Sequence, residues 1–294
     1  MCKLKSAIIL RNKIFMPDYD SHSKMLDELG ITDDYFNASK VFVRAELSPA
    51  DGNIFSDIDG WEFHVDQDIT PEWFDEKDCA ERMRKAVKEW EKTHIFVGHN
   101  DLEISHGENI FIKDCKNVNI CGNATVKYIR DNATVKYIRD NATVENICGH
   151  ATVENICGNA TVKYIRDNAT VKYICDNATV KYICENATVE NIFGHATVKD
   201  ICSNATVKNI RDNATVKYIC DNATVEDIYG HATVENIFGN ATVKYIRENA
   251  TVISFPYRRW SNSASLIIAG NATFKDCYSK TIYQAGGWKL VEVK

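Results

Sequence analysis

Residues 123–140 read Asn-Ala-Thr-Val-Lys-Tyr-Ile-Arg-Asp-Asn-Ala-Thr-Val-Lys-Tyr-Ile-Arg-Asp, which is one nonapeptide written twice. The unit continues without insertion or deletion as far as Glu248, so the array holds fourteen copies. Positions one to four (Asn-Ala-Thr-Val) and position seven (Ile) hardly vary, whereas positions five, six, eight and nine do. A fixed short period of this kind predicts a stacked repeat architecture.

The nonapeptide predicts a β-strand followed by a turn. Ala124, Val126 and Ile129 would spread around a helix of about 3.6 residues per turn, and the unit is rich in strand formers. In a strand, alanine and valine point to one face and threonine and lysine to the other, and Asp-Asn or Gly-His pairs supply the turn. One unit buries too little apolar surface to fold alone. We therefore predict a mainly β fold, a β-solenoid (β-helix) with an interior of alanine, valine and isoleucine.

The charges at position five indicate that two units close one coil. Parallel strands stack about 4.8 Å apart, so unlike charges are favoured between neighbouring coils. Opposite signs are most frequent at a spacing of eighteen residues, where one set alternates strictly: Lys136, Glu154, Lys172, Glu190, Lys208, Glu226 and Lys244. The other set alternates only in part: Lys127, Glu145, Lys163, Lys181, Lys199, Lys217 and Glu235. Seven such coils would form a rod about 34 Å long.

Residues 1–103 show no repeat and are predicted to form a small N-terminal α+β domain. Helix and strand signals order its elements along the chain. The expected elements are a hairpin of residues 7–10 and 14–16, a helix over 22–28 stopped by Gly30, strands over 41–47 and 61–66, and a helical region from an N-cap at Thr70 to about residue 93 with Met83, Val87 and Trp90 on one face.

The solenoid is expected to span residues 104–252, because 104–122 resemble degenerate first coils. Residues 253–294 are predicted to be a C-terminal capping segment. The pattern breaks at Phe255-Pro256, Asn271-Ala272-Thr273-Phe274 restores one repeat, and an aromatic end follows. Open solenoid ends expose unpaired strand edges, so a cap is required, and any self-association is expected through these ends.

The recurrent asparagine at position one is interpreted as a turn residue. Asparagine tolerates the left-handed conformation and can hydrogen-bond to its neighbours along the stack. His150, His195 and His231 replace it, each after a glycine, and are interpreted as turn substitutions rather than metal ligands. At eighteen residues per coil only His195 and His231 share a column, about 9.6 Å apart, which is too far for one ion.

The eleven cysteines are expected to be free thiols, because no secretory signal and no Cys-x-x-Cys pair are present. Cys184, Cys202 and Cys220 would stack in one column, which offers a soft-metal site or oxidation to a disulfide. Position eight also holds arginine, phenylalanine and tyrosine, which argues against a requirement for a metal ligand. We therefore predict no metal and no cofactor.

Two groups in the N-terminal domain contain carboxylates and histidine: Asp18-Tyr19-Asp20-Ser21-His22, and Asp57, Asp59, His64, Asp66 and Asp68. Neither has a recognised metal-binding spacing, and the EF-hand pattern fails around Gly60. Helix capping and an acidic turn explain both groups without any metal-binding or catalytic role. No catalytic residue is assigned, and a site in the second group is kept as the basis of the alternative that this domain is an enzyme.

Composition and charge exclude several classes of protein. No apolar run approaches the roughly 18 residues of a membrane span, and the first ten residues do not make a signal peptide, so a cytoplasmic location without membrane contact is expected. The net charge is −6, but the array carries 14 basic and 15 acidic side chains. A neutral rod is atypical of a nucleic-acid binder, and none is expected as partner.

The Asn-Ala-Thr-Val array and the segment from Phe42-Val43-Arg44-Ala45-Glu46-Leu47 to Trp61-Glu62-Phe63-His64-Val65-Asp66 resemble uncharacterised bacterial and prophage-type proteins of gut bacteria. In these proteins a small N-terminal α+β domain precedes a tandem short-repeat β-solenoid. The resemblance covers most of the chain and implies no enzymatic activity for any residue.

The expected function is non-enzymatic: the rod acts as a spacer or a protein-interaction surface. Fixed buried positions beside variable exposed ones favour binding of a protein partner of unknown identity. Alternatives are an enzyme with its site in the N-terminal domain and, as minor ones, a phage-encoded partner-blocking protein and an ice-binding solenoid. The candidate interaction residues are Tyr128, Arg130, Tyr137, Arg139, Tyr164, Arg166, Tyr173, Tyr182, Arg211, Tyr218, Tyr245 and Arg247.

Overall fold

The computed structural model describes residues 5–254, 267–268, 272–276, 281–284 and 291–292. The chain divides into two compact units, Met1–Ile95 and Phe96–Lys294. The division falls before the expected boundary at residue 103, because the first strand of the solenoid sheets already begins at Ile95. Among the described residues, no helix has both the length and the apolar character needed to cross a membrane.

The N-terminal unit is an antiparallel sheet with three helices. Its elements are β1 (Lys5–Leu10), β2 (Lys13–Phe15), α1 (His22–Leu29), α2 (Tyr35–Lys40), β3 (Phe42–Pro49), a 3-10 turn (Ile58–Gly60), β4 (Trp61–Val65) and α3 (Glu76–His94). The strands lie in the order β2-β1-β3-β4, all antiparallel. The predicted hairpin, the helix stopped by Gly30 and the two further strands are therefore confirmed.

Helix α3 begins later than expected. Its N-cap is Asp75, whose carboxylate accepts a hydrogen bond from the backbone N–H of Asp78, rather than Thr70. Pro71 instead begins a turn, in which its carbonyl accepts from the N–H of Phe74 at 2.9 Å. An aspartate cap accepts hydrogen bonds from the first helical N–H groups, and its negative charge interacts favourably with the helix dipole. The helix therefore begins at Asp75 and not at the threonine upstream.

Apolar side chains on both sides of the N-terminal sheet form its core. Ile8 packs with Met25 and Leu26 of α1 and with Phe42 of β3. Met83, Val87 and Trp90 of α3 are buried, as the shared helical face predicted. Burial of several such side chains, each contributing about 1.5–3 kcal/mol, is what holds α1 and α3 to the sheet.

In the described residues of the second unit, short strands alternate with turns. They are β5 (Ile95–Val97), β6 (Glu103–Ile104), β7 (Ile110–Lys113), β8 (Val118–Ile120), β9 (Thr125–Arg130), β10 (Thr134–Ile138), β11 (Thr143–Ile147), β12 (Thr152–Ile156), β13 (Thr161–Ile165), β14 (Thr170–Ile174), β15 (Thr179–Ile183), β16 (Thr188–Ile192), β17 (Thr197–Ile201), β18 (Thr206–Ile210), β19 (Thr215–Ile219), β20 (Thr224–Ile228), β21 (Thr233–Ile237), β22 (Thr242–Ile246), β23 (Thr251–Ser254), β24 (Ile267–Ile268), β25 (Thr273–Asp276), β26 (Thr281–Gln284) and β27 (Val291–Glu292).

These strands form two parallel sheets, and the chain crosses from one to the other at every turn. The odd-numbered strands β5 to β25 form the odd sheet, and the even-numbered strands β6 to β24 form the even sheet. Thr143 pairs with Thr161 and Ile147 with Ile165, so equivalent residues lie in register eighteen positions apart. The predicted β-solenoid with two nonapeptides per coil is confirmed, and residues 104–122 are its first, irregular coils.

The interior contains the three predicted apolar positions. Ala169, Val171 and Ile174 of one unit have no exposed surface, and the same three positions are buried throughout the array. Thr170 and Lys172 point outward, as alternation requires, but Tyr173 also points outward and Ile174 returns to the interior. The unit thus departs from strict alternation after its fifth residue, which brings a third apolar side chain into the core.

The left-handed residue of each turn is the ninth, not the first. Asp131, Asp140 and Asp167 have φ between 56° and 61°, and glycine holds the same conformation at Gly149 and Gly158. The expectation that asparagine adopts this conformation is therefore wrong, since no asparagine at position one of the array has a positive φ. Its expected hydrogen bonding is confirmed: the Asn141 side-chain amide donates to the Asn123 side-chain oxygen at 3.4 Å.

At the C-terminal end the parallel stack gives way to antiparallel pairing. Strand β25 pairs in parallel with β23, with Thr273 beside Thr251, so the expected restored repeat is present. Strand β26 is antiparallel to β25, and β27 is antiparallel to β26. The break at Phe255-Pro256 and the aromatic end lie outside the described residues.

Candidate functional site

The twelve candidate interaction residues do not share one surface. Two repeats make a coil, so adjacent repeats contribute to opposite sheets. The odd sheet and the turns that follow its strands hold Tyr128, Arg130, Tyr164, Arg166, Tyr182 and Tyr218, whereas the even sheet and its turns hold Tyr137, Arg139, Tyr173, Arg211, Tyr245 and Arg247. The expectation that neighbouring Tyr128 and Tyr137 crowd together is replaced by two separate faces.

The odd sheet carries a column of four successive exposed lysines. Lys163, Lys181, Lys199 and Lys217 occupy position five on four consecutive coils. Like charges at the spacing of stacked strands repel one another, and no acidic residue interrupts the column at this position. We call this column with its adjacent tyrosines Tyr164, Tyr182 and Tyr218 the lysine–tyrosine face.

Aromatic rings and ammonium groups contact one another on the lysine–tyrosine face. The rings of Tyr164 and Tyr182 stack with centroids 5.0 Å apart, and Lys163 lies over Tyr164. Lys199 donates to the Tyr182 hydroxyl at 3.3 Å and lies 3.6 Å from Asp200. The Tyr182 hydroxyl and Asp200 raise the pKa of Lys199, so this lysine stays charged over an even wider pH range.

The even sheet differs because its charges compensate one another. Lys208 lies 3.6 Å from Glu190, and Lys244 lies 3.2 Å from Glu226, each on the neighbouring coil. Arg247 pairs with Asp227 across two strands and lies over the ring of Tyr245. The predicted charge ladder is thus seen in these pairs, and it leaves the even sheet without a stripe of one sign.

Carboxylates link the turns of neighbouring coils by hydrogen bonds. The Asp167 carboxylate accepts a hydrogen bond from the backbone N–H of Gly149 at 2.8 Å, and Glu185 accepts from the N–H of Asp167 at 3.0 Å. The backbone N–H of His195 donates to the Asp176 carbonyl at 2.7 Å, as asparagine does at this position elsewhere. This placement agrees with the interpretation of these histidines as turn residues.

The cysteines form columns beside the turns. Cys184 and Cys220 donate thiol hydrogen bonds to the sulfur of Cys202, and these bonds lower the pKa of Cys202. Cys157 and Cys175 form a second pair, in which burial raises the pKa of Cys175 to about 12. Cys202 Sγ, Cys220 Sγ and an Asp221 carboxylate oxygen lie within 4.8 Å of one another. The predicted thiol column is therefore present, and it is local because position eight holds arginine, phenylalanine or tyrosine in the repeats without cysteine.

Most members of the two N-terminal acidic groups have separate local partners. Asp57 caps the 3-10 turn, Asp59 pairs with Lys88 at 2.5 Å, and His64 lies 3.5 Å from Glu62. Asp18 pairs with His94 at 3.0 Å, and Asp20 lies 3.6 Å from the buried Lys5. Sequence grouping alone therefore did not define a site.

One residue of the first group does lie beside one residue of the second. His22, at the start of α1, places Nδ1 3.1 Å from Oδ2 of Asp66, which follows β4. Glu46 of β3 joins them, and one ligand atom from each of the three lies within 4.8 Å of the other two. Sequence reasoning missed Glu46, and its signal is a carboxylate inside the otherwise apolar run Phe42-Val43-Arg44-Ala45-Glu46-Leu47.

Asp66 opens this cluster toward a cleft of about 560 Å³ that is also lined by Arg44, Gln67 and Asp68. The cluster is therefore buried on the His22 and Glu46 side and open to solvent on the Asp66 side. Comparison of the chain with protein-family models, curated proteins and solved structures finds no match for it.

Proposed function

We propose that the protein is a non-enzymatic scaffold whose solenoid binds a protein partner through the lysine–tyrosine face. The supporting observation is the uninterrupted lysine column of Lys163, Lys181, Lys199 and Lys217. The even sheet shows that the same repeat accommodates alternating charge, so four like charges on the odd sheet are not imposed by the fold. An acidic surface on a partner would relieve their repulsion.

The tyrosines beside the column suit a protein interface. Tyr164, Tyr182 and Tyr218 each combine a large apolar ring with a hydroxyl, and tyrosine is enriched at binding hot spots. The in-register sheet spaces them regularly, and Tyr164 stacks on Tyr182, which reduces the side-chain entropy that binding would cost. The partner that fits is an acidic protein surface with aromatic or aliphatic groups between its carboxylates.

The test uses substitutions that the repeat already tolerates. In the odd-face variant, Tyr164→Asn and Tyr182→Asn are combined with Lys181→Glu, since asparagine and glutamate occupy these positions in Asn146 and Glu145. The matched even-face control carries Tyr137→Asn and Tyr173→Asn. Full-length wild type and variants are used to capture proteins from the cell that makes the chain, with captured proteins identified by mass spectrometry.

We expect the odd-face variant to lose a protein that wild type and the even-face control both retain, and we expect its retention to weaken in salt. Equal capture by all three chains, or loss through the even-face control alone, would contradict the proposal. Capture of RNA in place of protein by the lysine column would also overturn it.

The N-terminal unit supports a second candidate function, an enzymatic site, because His22, Glu46 and Asp66 converge beside a cleft. In that case the rod is an appendage. The resemblance to prophage-type proteins supports a narrower version of the main proposal, in which binding blocks the partner in the bacterial cytoplasm, where the thiols stay reduced. An activity lost in Glu46→Gln but not in the odd-face variant would favour the enzymatic function.

A further inference from the structure

Glu46 is a buried carboxylate that forms no ion pair with any residue the structure describes. It is only 6% exposed, and among the described residues its side chain makes no hydrogen bond or ion pair. Its cross-strand neighbour Ser6 is fully buried, and the Ser6 hydroxyl has no hydrogen-bond partner among the described residues. A buried charge of this kind is costly unless a proton or a cation compensates it.

His22 offers a lone pair to the same place. Its Nε2 lies 3.2 Å from the carbonyl oxygen of Ala45, which can only accept, so Nε2 carries the proton. In the neutral ring Nδ1 then bears a lone pair, and it faces Asp66 Oδ2 at 3.1 Å. Two acceptors at that distance need a positive charge between or beside them. A ring nitrogen fixed by a second-shell carbonyl is the usual form of a metal-binding histidine.

We propose that His22, Glu46 and Asp66 bind a divalent first-row transition-metal cation. Metal–nitrogen and metal–oxygen bonds of about 2.1 Å separate adjacent ligands at a right angle by about 3.0 Å, close to the His22–Asp66 distance. All three ligand atoms lie within 4.8 Å of one another, which one ion can bridge. The exposed side at Asp66 leaves room for water to complete the coordination.

The donor set selects the class of ion. One imidazole and two carboxylates suit Mn²⁺, Fe²⁺ or Zn²⁺ rather than a soft monovalent ion. The cysteine columns of the solenoid would compete for Zn²⁺, because thiolates prefer it. Mn²⁺ is therefore the probe that reports on this site without interference from Cys202 or Cys175.

The test titrates the full-length protein with Mn²⁺ and follows the free ion by electron paramagnetic resonance. We expect the wild type to bind one Mn²⁺ per chain. Glu46→Gln and Asp66→Asn remove one charge each while keeping shape, and each is expected to weaken binding at least about tenfold. Asp59→Asn, which alters an exposed carboxylate paired with Lys88, is the matched control and should bind as wild type.

A second measurement separates loss of binding from loss of fold. Without metal, Glu46→Gln should unfold at the same temperature as wild type or above it, because it removes an uncompensated buried charge. Added Mn²⁺ should raise the unfolding temperature of wild type and not of Glu46→Gln.

Two results would overturn the proposal. The first is a wild-type protein that takes up no Mn²⁺, and the second is a Glu46→Gln variant that binds Mn²⁺ as wild type does.

Discussion

Gly149 occupies the same turn position as Asp131 one coil earlier, and a β-carbon built on Gly149 would lie 2.8 Å from the backbone nitrogen of Asp131. Gly149 also has φ +66°, which side chains rarely adopt. Two features therefore favour glycine at this point of the stack: the positive φ of the turn, which Asp131 and Asp167 adopt with a side chain, and the close approach of the preceding turn.

Gly149→Ala should lower the free energy of unfolding by about 2 kcal/mol or more, since strain at positive φ adds to a backbone clash. Gly98→Ala is the control, because Gly98 has φ +68° with no atom within 4 Å of its added β-carbon. That control should lose only about 1 kcal/mol. Urea unfolding followed by circular dichroism measures both, and equal losses would show that the clash has no effect.

Charge substitutions at position five of the two sheets should change the free energy of unfolding in opposite directions. Glu190→Lys places three like charges in succession on the even sheet between Lys172 and Lys208 and should destabilise the fold by about 0.5 kcal/mol. Lys181→Glu breaks the lysine column of the odd sheet and should stabilise it by a similar amount. The unfolding midpoints in low salt measure both effects, and both should shrink in 1 M NaCl because the groups are exposed. Shifts of the same sign would contradict the electrostatic account.

Substitutions at a core position and at a surface position of one strand should differ sharply in their effect on the free energy of unfolding. Ile174→Ala removes a fully buried side chain and should cost about 3 kcal/mol, because a cavity remains between the two sheets. Tyr173→Asn, its immediate neighbour, should change stability by less than about 0.5 kcal/mol, since asparagine occupies this position in β12 and β16. Thermal unfolding of both variants tests whether position seven belongs to the core and position six to the surface.

The thiol columns predict selective alkylation. Burial raises the pKa of Cys175 to about 12, whereas thiol hydrogen bonds from Cys184 and Cys220 lower that of Cys202. At pH 8, iodoacetamide should modify Cys202 well before Cys175, because only the thiolate reacts. Mass spectrometry of peptides gives the two rates, and Cys184→Ala should slow the reaction at Cys202. A faster Cys175 would reverse the assignment.

The raised pKa of Cys175 also makes the stability of the fold depend on pH. The folded state favours the neutral thiol of Cys175, so its contribution is complete below the ordinary thiol pKa of about 8.5. It should be lost as the pH rises toward 12, and Cys175→Ser should weaken this alkaline destabilisation.

The solenoid was predictable because its signal repeats. The alternating charges of Glu190 and Lys208 reveal the eighteen-residue coil, and Ala169, Val171 and Ile174 reveal the interior. The left-handed residue was misplaced because aspartate, asparagine and glycine all suit turns, and only the backbone of the folded chain, with positive φ at Asp131 and Gly149, distinguishes their positions.

The candidate metal site was only half predictable. His22 and Asp66 stand out as residue types, but they are 44 positions apart and meet through the packing of α1 against the sheet. Glu46 reads as an ordinary polar residue in a strand until its burial is known. These three residues come together only in the tertiary structure, and no repeating pattern in the sequence indicates that they do.

Register by eighteen residues also constrains how the gene for this rod can change length. Loss or gain of two adjacent units shortens or lengthens the rod by one complete layer and leaves every later side chain on its original sheet. Loss of a single unit would exchange the two sheets for all later coils, moving tyrosines and lysines to the opposite side. Unequal recombination between the near-identical units is therefore tolerated in pairs, and the lysine–tyrosine face can grow while the rest of the molecule stays the same.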